Sequence, residues 1–174
     1  MSTTRGGCDI DTRSAIDAAP GTYVLLFACR APACCAVGRL GRVTLEPGYY
    51  LYVGSAFGPG GVRARVARHV RRDKSRHWHL DYLCEVLDPL EVWYTLDAAR
   101  REHALAAALG AWPGLSGVRR FGSSDCACGS HLFATRRRPS AGRLARSTGV
   151  ALTVWRMVSE CRVEPGKVRR TRGG

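Results

Sequence analysis

The sequence lacks any long apolar run: its longest hydrophobic stretches fall well short of the ~18–20 residues a membrane-crossing helix needs, so neither a transmembrane anchor nor a membrane partner is expected. No hydrophobic signal segment opens the chain. Without export to an oxidising compartment, its eight cysteines are expected as thiols in a cytoplasmic protein rather than as a disulfide scaffold. No internal repeat is visible, which argues against a solenoid. Acidic residues are scarce, with 14 Asp and Glu against 27 Lys and Arg, a formal charge of +13 and a pI near 10.1. Such a balance favours polyanionic partners, nucleic acid first among them.

What is present is ordinary globular material at 45% hydrophobic residues, enough for one domain with tails. The charge is uneven: residues 135–174 carry 11 of the 27 basic residues and 2 of the 14 acidic ones. The expected organisation is therefore a loose leader at 1–19, a folded domain at 20–134 and a basic, partly disordered extension at 135–174. Within that extension, the apolar "VALTVWRMV" either docks on the core or adds an edge strand.

Periodicity supplies the elements. "GTYVLLFACR" reads as a buried strand, and "CCAVGRLGRVTLEPGYYLYVG" as two or three short strands punctuated by glycine and proline. From Gly61 a helix is expected, with Val62, Val66 and Val70 as its apolar stripe. A second helix is expected in "SRHWHLDYLCEVL", capped by Ser75, then a strand in "LEVWYTL" and a helix capped by Asp97 in "AARREHALAAALG". The order predicts an α+β fold: a small mixed, mainly antiparallel sheet flanked by about three helices.

Arg65 and His69 lie one turn apart beside the valine stripe, which puts both at the lip of the core. Arg68 and Arg72 extend that face into a basic wall, while Arg63 and Arg71 point elsewhere. Glu102 falls inside the apolar stripe of its own helix, where a carboxylate must be paired, neutralised or bound to metal. A salt bridge to Arg65 and a metal-ligand role weigh about equally. Tyr23, Tyr49, Tyr50, Tyr52 and Tyr82 read first as core residues, because a phenol near pKa 10 is a poor base in an ordinary setting.

In "SDCACGSH", Cys126, Cys128 and His131 offer zinc ligands, with His77 or His79 of "HWH" as a further donor. The competing reading is a tight loop held by Ser123, Ser124 and Asp125, its cysteines packed as small apolar groups. Asp81 and Asp125 complete this second candidate group.

Together these residues resemble the GIY-YIG nuclease superfamily. "GTY" at Gly21 to Tyr23 is similar to its first motif, "YVG" at Tyr52 to Gly54 to its second, and "VRARVARH" to its arginine helix. Glu102 matches the metal-binding glutamate of a later helix. "GYYLYVGSAFGPGG", "HWHLDYL" and "FGSSDCACGSH" further resemble the Uri-like endonuclease branch. The resemblance spans residues 20–134. Between Tyr23 and Tyr52 the chain is longer than usual, implying an extra hairpin or loop, and Ser-Ser-Asp-Cys stands where the superfamily carries an asparagine.

The resemblance implies a metal-dependent DNA endonuclease, acting in repair or on single-stranded or branched DNA. Glu102 would hold one Mg2+ or Mn2+, and Arg65 would stabilise charge at the phosphate. Tyr23 would act as general base with Tyr52 beside it, and His69 is the alternative base because its ordinary pKa suits neutral pH. Arg63, Arg68, Arg72, Lys74, Arg76, Arg136, Arg137 and Arg138 would contact phosphates without reading sequence, giving a nucleoid-associated protein. The segment "AFGPGG" would bend the chain into the arginine helix, with its amide groups facing a phosphate. A non-catalytic nucleic-acid-binding module and a zinc-stabilised structural protein are the competing readings.

Overall fold

A computed structural model describes residues 16–123 and 126–157. The first strand, β1 (Gly21–Cys29), is flanked by β4 (Gly48–Ala56) on one side and β5 (Asp88–Thr95) on the other, both antiparallel to it. With β6 (Ser116–Gly117), β7 (Leu132–Thr135) and β8 (Thr153–Arg156), they form a six-stranded sheet in the order β6-β7-β4-β1-β5-β8. A separate hairpin of β2 (Ala33–Val37) and β3 (Gly41–Leu45) occupies the long span between Tyr23 and Tyr52, where an extra hairpin or loop was expected. Three helices, α1 (Gly61–Val70), α2 (Glu102–Gly110) and α3 (Ala141–Thr148), complete an α+β fold. Every strand pairing among the described residues is antiparallel.

β1 is an unbroken apolar run because the sheet is covered on both faces. Tyr23, Leu25 and Phe27 pack with Val62 and Val66 of α1 and with Leu80, Leu83 and Leu87. Val24 and Leu26 pack on the other face with Leu105, Ala106 and Leu109 of α2 and Leu144 of α3. Such two-sided burial, at about 25 cal/mol per Å² of apolar surface, is the main drive to fold.

Two expected helices differ in the structure. The stretch 75–87 forms a single 3-10 turn at His79–Tyr82 rather than a helix. Its stripe is real, since Leu80, Leu83, Cys84 and Leu87 are all buried. Asp81 Oδ2 accepts the backbone N–H groups of His77 and Trp78 at 2.9 Å each, a capping arrangement that starts the turn at Trp78 rather than at Ser75. α2 starts at Glu102, after Arg101 rather than after Asp97. Asp97 instead closes a turn, accepting Ala99 N–H at 2.9 Å and pairing with Arg101, while Arg101 N–H is taken by Thr22 Oγ1 at 3.1 Å.

The chain beyond residue 134 shares this sheet. Ser140 caps α3 through the Arg143 N–H, Gly149 ends it at φ 69°, and "TVWR" pairs with β5 as edge strand β8. No helix among the described residues is long and apolar enough to cross a membrane.

The start of α1 is set by a close approach. Gly61 takes φ 55°, and a Cβ there would collide with the carbonyl oxygens of Ala18 and Ala19. Val62 N–H donates to Ala19 O and Arg63 N–H to Asp17 O, both at 3.0 Å. Of the "AFGPGG" amides, expected to face a phosphate, that of Gly61 is spent on Gly58 O at 3.2 Å.

Candidate functional site

Tyr23 and His69 are both only 1% exposed, and Tyr23 Oη lies 2.8 Å from His69 Nε2. β1 carries the phenol towards α1, and α1 carries the imidazole inward. His69 was expected at the lip of the core; it is inside, because Trp78 and Tyr52 pack against its ring at centroid distances of 5.2 and 5.6 Å. The guanidinium groups of Arg65 and Arg68 lie 4.3 and 4.7 Å from the Trp78 ring centroid. The structure thus brings Tyr23, Tyr52 and Trp78 together around His69, with Arg65 and Arg68 over the ring of Trp78, a residue to which the motif reading gave no role.

The electrostatics of this group keep both central residues neutral. Burial, reinforced by the neighbouring Tyr52, lifts the Tyr23 phenol well above its usual value of 10, and Arg65 offsets this only in part. Burial and then the Lys74 ammonium lower His69 to about 3, although Asp81 opposes the shift. The match of His69 to neutral pH, which favoured it as a base, is removed by its surroundings. Asp81 Oδ1 stands 4.0 Å from His69 Nδ1. A carboxylate there favours a proton on Nδ1, which leaves Nε2 to accept the Tyr23 O–H.

Lys74 holds this arrangement from below. Its side chain is 4% exposed, with Nζ 2.8 Å from Asp81 Oδ1 and donating to the carbonyls of Arg68 and His69, the last turn of α1. Asp81 also takes Arg68 at 3.3 Å. Burial would raise the Asp81 carboxyl, but Lys74 and the two backbone donors outweigh it and hold the group below its ordinary value.

A second cluster forms on the opposite side of β4. Side chains alternate along a strand, so Tyr52 and Gly54 face α1 while Ser55 faces α2. There Glu102, the first residue of α2 and 20% exposed, places Oε1 3.1 Å from His131 Nδ1. Burial alone would raise the Glu102 carboxyl; contacts from His131 and Ser55 prevail and lower it. His131 Nε2 lies 3.4 Å from Cys126 Sγ, and His103 Nδ1 lies 3.2 Å from Cys128 Sγ. The ligand atoms of His103, Cys126, Cys128 and His131 all fall within 4.8 Å of one another.

The expected donors His77 and His79 are elsewhere. His77 is exposed, and His79 Nδ1 accepts Gly122 N–H at 3.1 Å. Their place is taken by His103, the one of the five histidines without a role in the motif reading; its position beside Glu102 was the available signal. Nor does the weighed Glu102–Arg65 salt bridge occur, since the ion-pair partner of Glu102 is His131. Asp125 and Ser124 lie outside the described residues.

The family model described as Domain of unknown function DUF123 matches residues 22–152, three quarters of the chain. The chain belongs to this family. No match was found among curated proteins or among solved structures. The DUF123 span contains both clusters whole, from Tyr23 to His131, and runs through α3 to the residue before β8.

On this DUF123 domain the remaining basic residues differ in how committed they are. Arg72 pairs with Asp88 at 3.6 Å, Arg76 with Glu85 at 2.9 Å and Arg138 with Glu91 at 2.8 Å. Lys74 is buried against Asp81 and presents no charge to a ligand. Arg63, Arg136 and Arg137 are exposed and form no ion pair among the described residues.

Proposed function

We propose that this DUF123 protein hydrolyses phosphodiester bonds in DNA as a nuclease of the GIY-YIG type, related to the Uri-like branch. The observation that carries this reading is the 2.8 Å contact joining Tyr23 of the "GTY" strand to His69 of the arginine helix, with Tyr52 and Arg65 at the same place.

The residues suggest a division of labour. Arg65 supplies a fixed positive charge where a phosphate would gain negative charge, and such preorganised charge is often the largest catalytic contribution. Tyr52, half-buried, orients the attacking water. Tyr23 is too buried and too weakly acidic to serve as a ready phenolate; joined to His69, it works as a neutral hydrogen-bond relay that fixes Tyr52 and the water.

One Mg2+ or Mn2+ was expected on Glu102. Hard ions of this kind want oxygen ligands, whereas Glu102 is the lone carboxylate among the described residues of a cluster of imidazoles and thiols and is already engaged by His131. The surroundings fit such an ion poorly.

The test is incubation with duplex, single-stranded and branched DNA, with Mg2+ or Mn2+ and with EDTA. Cutting that Arg65→Ala lowers by about 10²–10³-fold is expected. No cutting of any substrate overturns the reading. A second reading, a DNA-binding module without cleavage, is favoured by the neutral state of both Tyr23 and His69. It predicts salt-sensitive binding in EDTA and no product under any condition.

A further inference from the structure

We infer that His103, Cys126, Cys128 and His131 bind one structural Zn2+, and that Glu102 is the carboxylate that orients His131 rather than a ligand of a catalytic ion. Two thiolates and two imidazoles are the donor set of closed tetrahedral zinc sites. The spacing supports this. With Zn–S about 2.3 Å and Zn–N about 2.0–2.1 Å, tetrahedral angles put a sulfur and a nitrogen ligand roughly 3.5 Å apart. The two sulfur–nitrogen pairs here stand 3.2 and 3.4 Å apart, and no pair in the group exceeds 4.8 Å.

The second observation is how His131 is held. Its Nδ1 lies 3.1 Å from Glu102 Oε1, which leaves Nε2, 3.4 Å from Cys126 Sγ, to face the cluster. A carboxylate behind a metal-bound imidazole is the usual means of fixing its tautomer and raising its basicity. Half-buried thiols alone, packed as small apolar groups, would not call for a nearly buried imidazole beside them backed by a carboxylate.

An entry path exists as well. A cleft of about 820 Å³, walled by Ala106, Ala107, Gly110 and Phe133, opens onto His103, Cys126 and Cys128. Zinc enters as the aqua ion and displaces the two thiol protons to solvent, leaving a neutral four-ligand centre. The centre ties the first turn of α2 to the loop that precedes β7. Ser55 on β4 contacts Glu102, so the same centre braces the strand end whose other face carries Tyr52 and Gly54.

The experiment uses the full chain, purified under reducing conditions, and does not depend on any nuclease assay. Elemental analysis is expected to give one zinc per chain. Exchange for Co2+ is expected to give the intense visible bands and thiolate charge-transfer absorption of a tetrahedral site with two sulfurs. Glu102→Gln should keep the metal but bind it about 10–100-fold more weakly in a chelator competition. His103→Ala should lose the tetrahedral spectrum, and His77→Ala should not change it. Should a variant fail to fold, the Co2+ spectrum of the unaltered protein decides alone. Absence of thiolate charge transfer in that protein, or retention of the full spectrum by soluble His103→Ala, overturns the assignment.

Discussion

Gly54 on β4 and Tyr23 on β1 stand directly opposite one another, and the Tyr23 phenol occupies the space that any side chain at position 54 would need. The glycine of "YVG" is therefore a packing requirement of the tyrosine of "GTY". A Cβ at position 54 would overlap the phenol oxygen, and forcing extra atoms into a filled core costs about 1–3 kcal/mol. Gly54→Ala should destabilise the fold by that amount in a denaturant titration and break the Tyr23–His69 contact. In a Tyr23→Phe background the added cost should shrink, because the closest overlapping atom is gone. Strict additivity in this double-mutant cycle would refute the relationship.

His69 makes stability depend on pH in a definite direction. Its folded value of about 3 lies below the unfolded 6.5, so between these limits the unfolded chain binds more protons and folding weakens as pH falls. The contribution is complete above pH ~6.5 and declines by up to about 1.4 kcal/mol per unit below it. Going from pH 6.5 to 5 should cost about 2 kcal/mol through this residue. His69→Gln, which cannot titrate, should show a flatter profile over the same interval. Identical slopes in chemical denaturation would mean that His69 is not held neutral.

Lys74 gives a third expectation. Removing its ammonium leaves Asp81 buried with only Arg68 and two amides, and strips the last turn of α1 of a cap. Breaking one side of a buried pair typically costs about 3–5 kcal/mol, whereas replacing both sides by apolar groups costs far less. Lys74→Met should therefore lower the unfolding free energy by at least about 3 kcal/mol, and adding Asp81→Leu should recover part of it. The recovery will be incomplete, since Asp81 also shapes the turn at 77–82. A single variant as stable as the unaltered protein would remove the ion pair from the account.

Legibility in the sequence followed the range of the interactions. Strands β1 and β4 and helix α1 could be read from local pattern, and the placing of Arg65 and His69 one turn apart from helical spacing alone. The contact between Tyr23 and His69 came within reach only through the resemblance of the motifs. The stretch 75–87 was read as one helix because Leu80, Leu83 and Leu87 fit a helical stripe, while Arg68 on α1 and Lys74 in the loop after it, which hold Asp81, lie outside that stretch. His103 was passed over for a similar reason: the cluster it completes joins α2 to a loop beyond β6, and its one local signal, the place beside Glu102, does not by itself set it apart from a solvated helical histidine. β8 was left undecided because a four-residue strand at a sheet edge carries too little periodicity to be told from a docked tail.

If DNA is the ligand, the exposed arginines should not be equivalent. Arg63, Arg136 and Arg137 are free of ion pairs among the described residues, and each that neutralises a phosphate contributes about 0.9 to the slope of log affinity against log salt. Arg72, Arg76 and Arg138 must first give up Asp88, Glu85 and Glu91. Exposed pairs are worth at most about 1 kcal/mol, so this tax is small but measurable. Replacing the three free arginines by alanine should flatten the salt dependence by nearly 3 units, and the loss of affinity should be largest at low salt. The corresponding change at the three paired positions should flatten the salt slope less, because those arginines reach a phosphate only by giving up their carboxylates. Fluorescence anisotropy on one labelled oligonucleotide at several salt concentrations reads both slopes, and equal slopes for the unaltered protein and the free-arginine variant would exclude these residues from the interface.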